Sequence, residues 1–114
     1  MKTKMTFRTA ALIAPLVLVP TIALAASATD LWTDNCARCH GPDGAGSTKI
    51  GKKLGLKDYT SAAVQEKMTD EEIQNAIRNG VKDAKGKEKM PAYKEKLSDQ
   101  EVKDLAAQVR SFKK

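Results

Sequence analysis

Cys36-Ala37-Arg38-Cys39-His40 is the stretch on which the reading of this 114-residue chain turns. Two thiols and an imidazole fall at i, i+3 and i+4. On a helical turn that spacing puts all three groups on one side. Two thiols so placed can each reach a vinyl group of one porphyrin, and the imidazole then faces the iron. Cys-x-x-Cys-His is accordingly a haem-attachment signature. Cys36 and Cys39 are expected to form the thioether links, and His40 to ligate the iron. Two plainer readings compete. A thioredoxin-like dithiol sits in a βαβ setting, and no strand pattern surrounds this pair. A structural zinc needs a fourth nitrogen, sulfur or carboxylate ligand, and the chain has no other cysteine or histidine.

Upstream, Asp30 to Cys36 suits a short helix with Leu31 and Trp32 on its apolar side. Further back, Lys2, Lys4 and Arg8 precede an uncharged apolar run from Ala10 to Ala26, and Ala23-Leu24-Ala25 gives a small-x-small pattern. That order marks residues 1–25 as a secretory signal. Cleavage is expected after Ala25 or Ala26, with the domain at 27–114. Pro15 and Pro20 interrupt the run, which is short for a span of about 20 residues. The expected compartment is the periplasm. Without the signal, 17 basic residues face 14 acidic ones, a net charge of +3 rather than the whole-chain +6. That is too weak a balance for nucleic-acid binding. A domain this small needs a staple. A disulfide between cysteines three apart would constrain little of the unfolded chain.

Downstream, Gly41 to Leu56 holds five glycines and Pro42, and is expected to be loop and turns. Lys49, Lys52, Lys53 and Lys57 lie in or beside it. Thr60 to Lys67 suits a short helix burying Ala62, Ala63 and Val64. Thr69 and Glu72 then form a capping box, with Met68 and Ile73 as a hydrophobic staple. That helix ends near Asn79-Gly80. Val81 to Lys96 has no sustained period, six lysines and three acids, and is expected to be loop. Ser98 and Glu101 repeat the capping box, with Leu97 and Val102 as the staple. Val102, Leu105, Ala106, Val109 and Phe112 follow at helical spacing. The expected fold class is all-α, with three to five short helices around one covalently bound haem.

His40 is the only histidine, so bis-histidine ligation within the chain is impossible. Methionine, a weaker donor, water or nothing takes the sixth position. Beyond the signal only Met68 and Met90 remain. Met68 is accounted for by its staple. Met90 has polar neighbours and precedes Pro91, whose fixed φ would help hold a ligand segment in one shape. Met90 is therefore the favoured second axial ligand.

With these residues in place, the mature chain resembles the small bacterial class I mono-haem c-type cytochromes. The resemblance covers the Cys36–Gly41 motif, the glycine-containing loop, two middle helices, Met90-Pro91-Ala92-Tyr93 and the closing helix. It implies a cytochrome c-like fold, a single haem c with its iron, and packing of the first helix on the last. Trp32 resembles the aromatic of that contact, opposite Leu105 and Val109. Gln108 stands where many members have an aromatic, and Phe112 is a partial substitute. Many members also place a proline after the motif, whose carbonyl accepts a hydrogen bond from the second imidazole nitrogen. No proline lies between Pro42 and Pro91. A backbone carbonyl around Ile50 to Lys53 is expected to serve, since such a partner orients the imidazole.

Histidine and methionine together leave no open iron position, which suits one-electron transfer better than catalysis. The expected function is a one-electron carrier between redox proteins, not an enzyme, and a monomer that meets membranes only through partner complexes. Lys82, Lys85, Lys87 and Lys89 lie beside Met90 and could steer an acidic partner. Two alternatives stand. One is a haem subunit of a larger oxidoreductase. The other, if Met90 is not a stable ligand, is a five-coordinate haem that senses a gas or reacts with peroxide.

Overall fold

The structure, a computed structural model, describes residues 2–4, 6, 8–21 and 26–114. The small-x-small motif Ala23-Leu24-Ala25 lies outside them. Residues 8–21 form no regular element, and Leu12, Ile13, Leu16 and Leu18 stand exposed. Among the described residues no helix is long and apolar enough to cross a membrane.

Six helices and one small hairpin follow. Helix α1 (Ala28–Asn35) starts at Ser27, whose side chain accepts the Asp30 N–H, a favoured capping arrangement. The chain bends at Cys36 and resumes as α2 (Ala37–His40). Cys36 bridges the two: its N–H donates to Trp32 O, and its carbonyl accepts from Cys39 and His40.

The segment expected to be loop from Gly41 to Leu56 contains a helix, α3 (Lys49–Leu54). Thr48 caps its start through the Gly51 N–H, and Gly55 closes it in the left-handed conformation at φ 66°. These are ordinary start and stop residues. The run of glycines hid them.

Helix α4 (Ala62–Glu66) buries Gln65, while Ala63 is exposed and Ala62 and Val64 are half-buried. The alanines expected inside are therefore not the buried face. The Gln65 amide donates to the carbonyls of Tyr59 and Val109, each at 2.8 Å. Arg110 donates to Gln65 Oε1 and to the Gln65 and Met68 carbonyls. It also pairs with Asp70 at 2.8 Å. A polar side chain is tolerated here because every group finds a partner.

Helices α5 (Asp70–Asn79) and α6 (Asp99–Ser111) both begin with complete capping boxes, from Thr69/Glu72 and Ser98/Glu101. Between them lies a second departure from the expected loop. Strands β1 (Val81–Lys82) and β2 (Glu88–Met90) pair antiparallel, with Val81 opposite Met90. Asp83 Oδ1 accepts the N–H groups of Lys85 and Lys87, and Gly86 turns at φ 79°. Strands of two and three residues, mostly exposed, leave no apolar alternation in the sequence to mark them.

The core joins Leu31, Trp32 and Cys36 to Ile73 and Ile77 of α5 and to Val102, Leu105, Ala106 and Val109 of α6. Met68 and Leu97, the two staple residues, pack against it. Helix α6 is the common element, touching both α1 and α5. Leu105 is wholly buried, at 0 % exposure. Truncating it opens a void that neighbours on three helices must collapse to fill. Leu105→Ala is expected to cost the haem-bearing protein about 2–5 kcal/mol, measured by urea unfolding.

Candidate functional site

Six of the core residues, Trp32, Cys36, Ile73, Ile77, Leu105 and Val109, also face an internal space. They wall one side of a cavity of about 470 Å³, within the range of small-molecule and cofactor sites at about 300–1,000 Å³. Cys36, Cys39, His40 and Met90 all line it. The structure thus brings together the four residues singled out from the sequence. It also adds Met68 to the wall, so both methionines of the domain border one space.

The motif is held from behind by its own backbone. Three successive carbonyls each receive a donor from elsewhere. Thr48 Oγ1 donates to Cys39 O at 2.5 Å, the Gly46 N–H to His40 O at 2.8 Å, and Trp32 Nε1 to Gly41 O at 2.9 Å. Carbonyls at a helix end have no intrahelical donor. Here the loop supplies them, and in doing so fixes the turn that carries the thiols and imidazole. Gly51 is required by the same arrangement, since a Cβ there would strike the Gly46 and Cys39 carbonyls.

His40 sits in an aromatic row. Its ring stacks on Tyr59 at 5.4 Å between centroids and tilts 45° to Trp32 at 5.6 Å. Trp32 in turn meets Phe112 at 4.8 Å. Gly44 makes room for that ring, since a Cβ there would collide with Phe112. Phe112, expected as a partial substitute for an aromatic at Gln108, thus packs on Trp32 from the end of α6. The carbonyl expected around Ile50 to Lys53 does not serve His40. Its Nδ1 is buried without a hydrogen-bond partner. Those carbonyls lie within α3, where Gly51 O, for one, accepts from Gly55 and Leu56 instead. Burial lowers the His40 pKa, favouring the neutral imidazole that ligates a metal.

Met90 is set by three features that sequence patterning did not reveal. Strand pairing with Val81 gives its register. Gly80, at φ 72°, brings the end of α5 so close that a Cβ would strike Met90 O. Beyond Pro91, the N–H groups of Tyr93 and Lys94 donate to Ile77 and Arg78 of α5, and Tyr93 Oη donates to Asn35 O at 3.0 Å. Tyr93 thus ties the Met90 segment to the helix that enters the cysteine motif. Tyr59 was equally unforeseen. Being one of only two tyrosines was its sole signal.

The donor set distinguishes among cofactors. No disulfide joins Cys36 to Cys39, and before any attachment burial, with the neighbouring Cys39, pushes the Cys36 thiol up to about 11. A thiol held neutral is a poor redox nucleophile. Among the described residues no three His, Cys, Asp or Glu side chains converge as a metal cluster. Two thiols, an unpartnered buried imidazole and thioether sulfur around one largely apolar cavity do fit a haem.

The class that fold and site define is the c-type cytochrome, and comparison with known proteins agrees. A family model described as cytochrome C oxidase, cbb3-type, subunit III matches residues 23–108. A cytochrome c6 from Bryopsis maxima is 35 % identical over 80 residues, covering 70 % of this chain and 82 % of that protein. The cbb3-type cytochrome c oxidase subunit CcoP of Cereibacter sphaeroides is 31 % identical over 90 residues, covering 79 % of this chain and 28 % of that subunit. Among solved structures, the KustC0563 c-type cytochrome superposes with a TM-score of 0.68 at 37 % identity, covering 78 % of this chain and all of that one. The chain belongs to the c-type cytochrome family, as a small mono-haem class I member. The cofactor of that family is covalently bound haem c with its iron, and the fold is cytochrome c-like.

Thr48 offers a direct check on the backing of the motif. Thr48→Val keeps the shape but removes both the bond to Cys39 O and the cap on Gly51 N–H. The expected loss is about 1–3 kcal/mol in urea unfolding of the haem-bearing protein.

Proposed function

We propose that this protein is a one-electron carrier whose haem is joined to Cys36 and Cys39 and held axially by His40 and Met90. Haem iron so held cycles between two oxidation states. What the chain's residues contribute is a fixed ligand geometry and a mainly apolar surround. The observation that carries the proposal is the meeting of Cys36, Cys39, His40 and Met90 at one cavity. A thioether ligand raises the reduction potential relative to histidine, and occupation of both axial positions suits electron transfer. Met68 borders the same cavity and, like Met90, packs against the core, but its carbonyl is held by Arg110 and it directly precedes the Thr69 cap of α5. It serves as the staple of α5.

We take residues 1–25 as an export signal and the periplasm as the working compartment, on the order of charge, apolar run and small residues. The suited partner is a redox protein with an acidic surface, because Lys82, Lys85, Lys87 and Lys89 stand exposed on the hairpin that carries Met90. A second reading has one observation in its favour, the likeness to CcoP. In that reading the domain works as a bound haem module of an oxidoreductase. Co-purification with an oxidase at high salt separates it from a diffusing carrier.

Visible absorption of the exported protein tests the ligands. Wild type is expected to be six-coordinate and low-spin in both oxidation states. Met90→Leu should lose that signature, while Met68→Leu keeps it at reduced stability. The opposite pattern would make Met68 the ligand. A wild-type spectrum that is already high-spin would replace the carrier by the gas-sensing or peroxide-reacting alternative.

Removing the attachment thiols is the complementary test. Cys36→Ala with Cys39→Ala leaves the buried Trp32, Ile73, Ile77, Leu105 and Val109 facing a cavity that nothing fills. The expected product has little helical signal in far-ultraviolet circular dichroism. Full helicity in the purified variant would show that the apolar core suffices alone.

A further inference from the structure

Seating an imidazole on iron takes two constraints. The donors from Thr48, Gly46 and Trp32 fix the backbone of the haem motif. They do not fix how the His40 ring is turned, because the last torsion of a histidine side chain is soft. A ligating histidine ordinarily gains that second constraint by donating its other ring N–H to a carbonyl or carboxylate. His40 Nδ1 is buried and has no such partner. Ring contacts are left to do this. Of the two neighbouring rings Tyr59 lies nearer to parallel, at 23° against 45° for Trp32.

A stacked ring can orient its neighbour only if it is itself held. Tyr59 is tied at both backbone groups. Its N–H donates to Gly44 O at 2.9 Å, and its carbonyl accepts from Gln65 Nε2 at 2.8 Å. The residues on either side are joined too, since Asp58 Oδ1 accepts the Thr60 N–H and hydroxyl. Gln65 in turn is 4 % exposed. It also donates to Val109 O, and its Oε1 accepts from Arg110. Asp70 and the Gln65 and Met68 carbonyls hold Arg110 in place. A buried amide with all these partners gives a fixed anchor rather than a sliding one. A continuous run of contacts therefore leads from α6 through Gln65 and Tyr59 to the imidazole.

We propose that Tyr59 is the positioning residue for His40: the face of its ring, anchored through Gln65, sets the angle at which the imidazole meets the iron. The proposal rests on His40 as an iron ligand and adds what orients it. Stacking does here what a hydrogen bond to Nδ1 does elsewhere. Gln65 acts one step further back, through Tyr59.

Proton NMR of the oxidised haem-bearing protein tests this. The spread of the paramagnetically shifted haem methyl signals follows the angle of the axial ligand planes. Tyr59→Phe keeps the ring and is expected to leave the spread at its wild-type value. Tyr59→Leu removes the stack and should change the spread, because the imidazole then settles at another angle or averages over several. Gln65→Met keeps a long buried side chain without its amide. It should change the spread in the same sense at smaller size, and it carries the test alone if Tyr59→Leu does not retain haem. Val102→Ala, a buried truncation outside the cavity wall, should lower stability in urea and leave the spread alone. A wild-type spread in Tyr59→Leu, or in Gln65→Met where that variant stands alone, overturns the proposal. So does a Tyr59→Phe spectrum displaced as far as that of Tyr59→Leu, which would assign the role to the hydroxyl. An equal displacement in Val102→Ala also overturns it, by reducing the effect to lost stability. Failure of Met90 as the other ligand looks different, because wild type itself would be high-spin. Tyr59→Leu must displace that spectrum too, since His40 stays on the iron.

Discussion

A turn carrying two thiols and an imidazole is useful only if it is rigid, and short turns are not rigid by themselves. Helix α2 has four residues and one backbone bend before it. Its stiffness comes from outside, through the donors that Thr48, Gly46 and Trp32 send to the Cys39, His40 and Gly41 carbonyls. Each donor belongs to a different part of the chain, and each brings that part to the site. Trp32 ties the turn to α1, and Thr48 doubles as the cap that starts α3. Gly46 sits in a loop that could not approach if Gly51 had a side chain. The remaining packing follows from this fixed turn, because Trp32 also fills the contact between α1 and α6.

The molecule has few large apolar side chains, and its core is built on one side of a space that they do not fill. A wall without atoms opposite it loses dispersion contacts, so the fold is expected to depend on what occupies the cavity. Polar chemistry supplements that thin core. Gln65 and Arg110 link α4, the start of α5 and the end of α6 through hydrogen bonds whose partners are all present. Such a network is costly when half satisfied and specific when complete. Its carbonyl partners belong to Tyr59, Met68 and Val109, which line the cavity, so the network braces that wall from behind.

Charge is distributed to match. Acids gather at the starts of α5 and α6, where they favour the helix dipole and complete the capping boxes. Lysines gather on α3 and the hairpin, both of which contribute residues to the cavity wall. The likeness to KustC0563 extends over the whole of that solved chain, and the likeness to CcoP over 28 % of that subunit.

Much of this was legible in the residues themselves. The haem motif follows from a spacing of three and four positions. The two capping boxes declare the starts of α5 and α6 because Thr69, Glu72, Ser98 and Glu101 act within one turn of each other. What stayed hidden depended on neighbours distant in sequence. Helix α3 is stabilised by Thr48, which faces Cys39, and its glycines are demanded by carbonyls of another segment. Gln65 is buried because Tyr59 and Val109 offer it carbonyls, a fact no local pattern contains. The hairpin has no apolar face to announce it, and its register is set where Gly80 and Tyr93 meet α5. The sequence by itself determined the chemistry of the site and the class of the fold, because both are written in short-range spacing. Only the tertiary structure decided how His40 is seated, between Tyr59 and Trp32 with no carbonyl partner, and that two methionines share its cavity. Those outcomes depend on which distant side chains arrive at the same place.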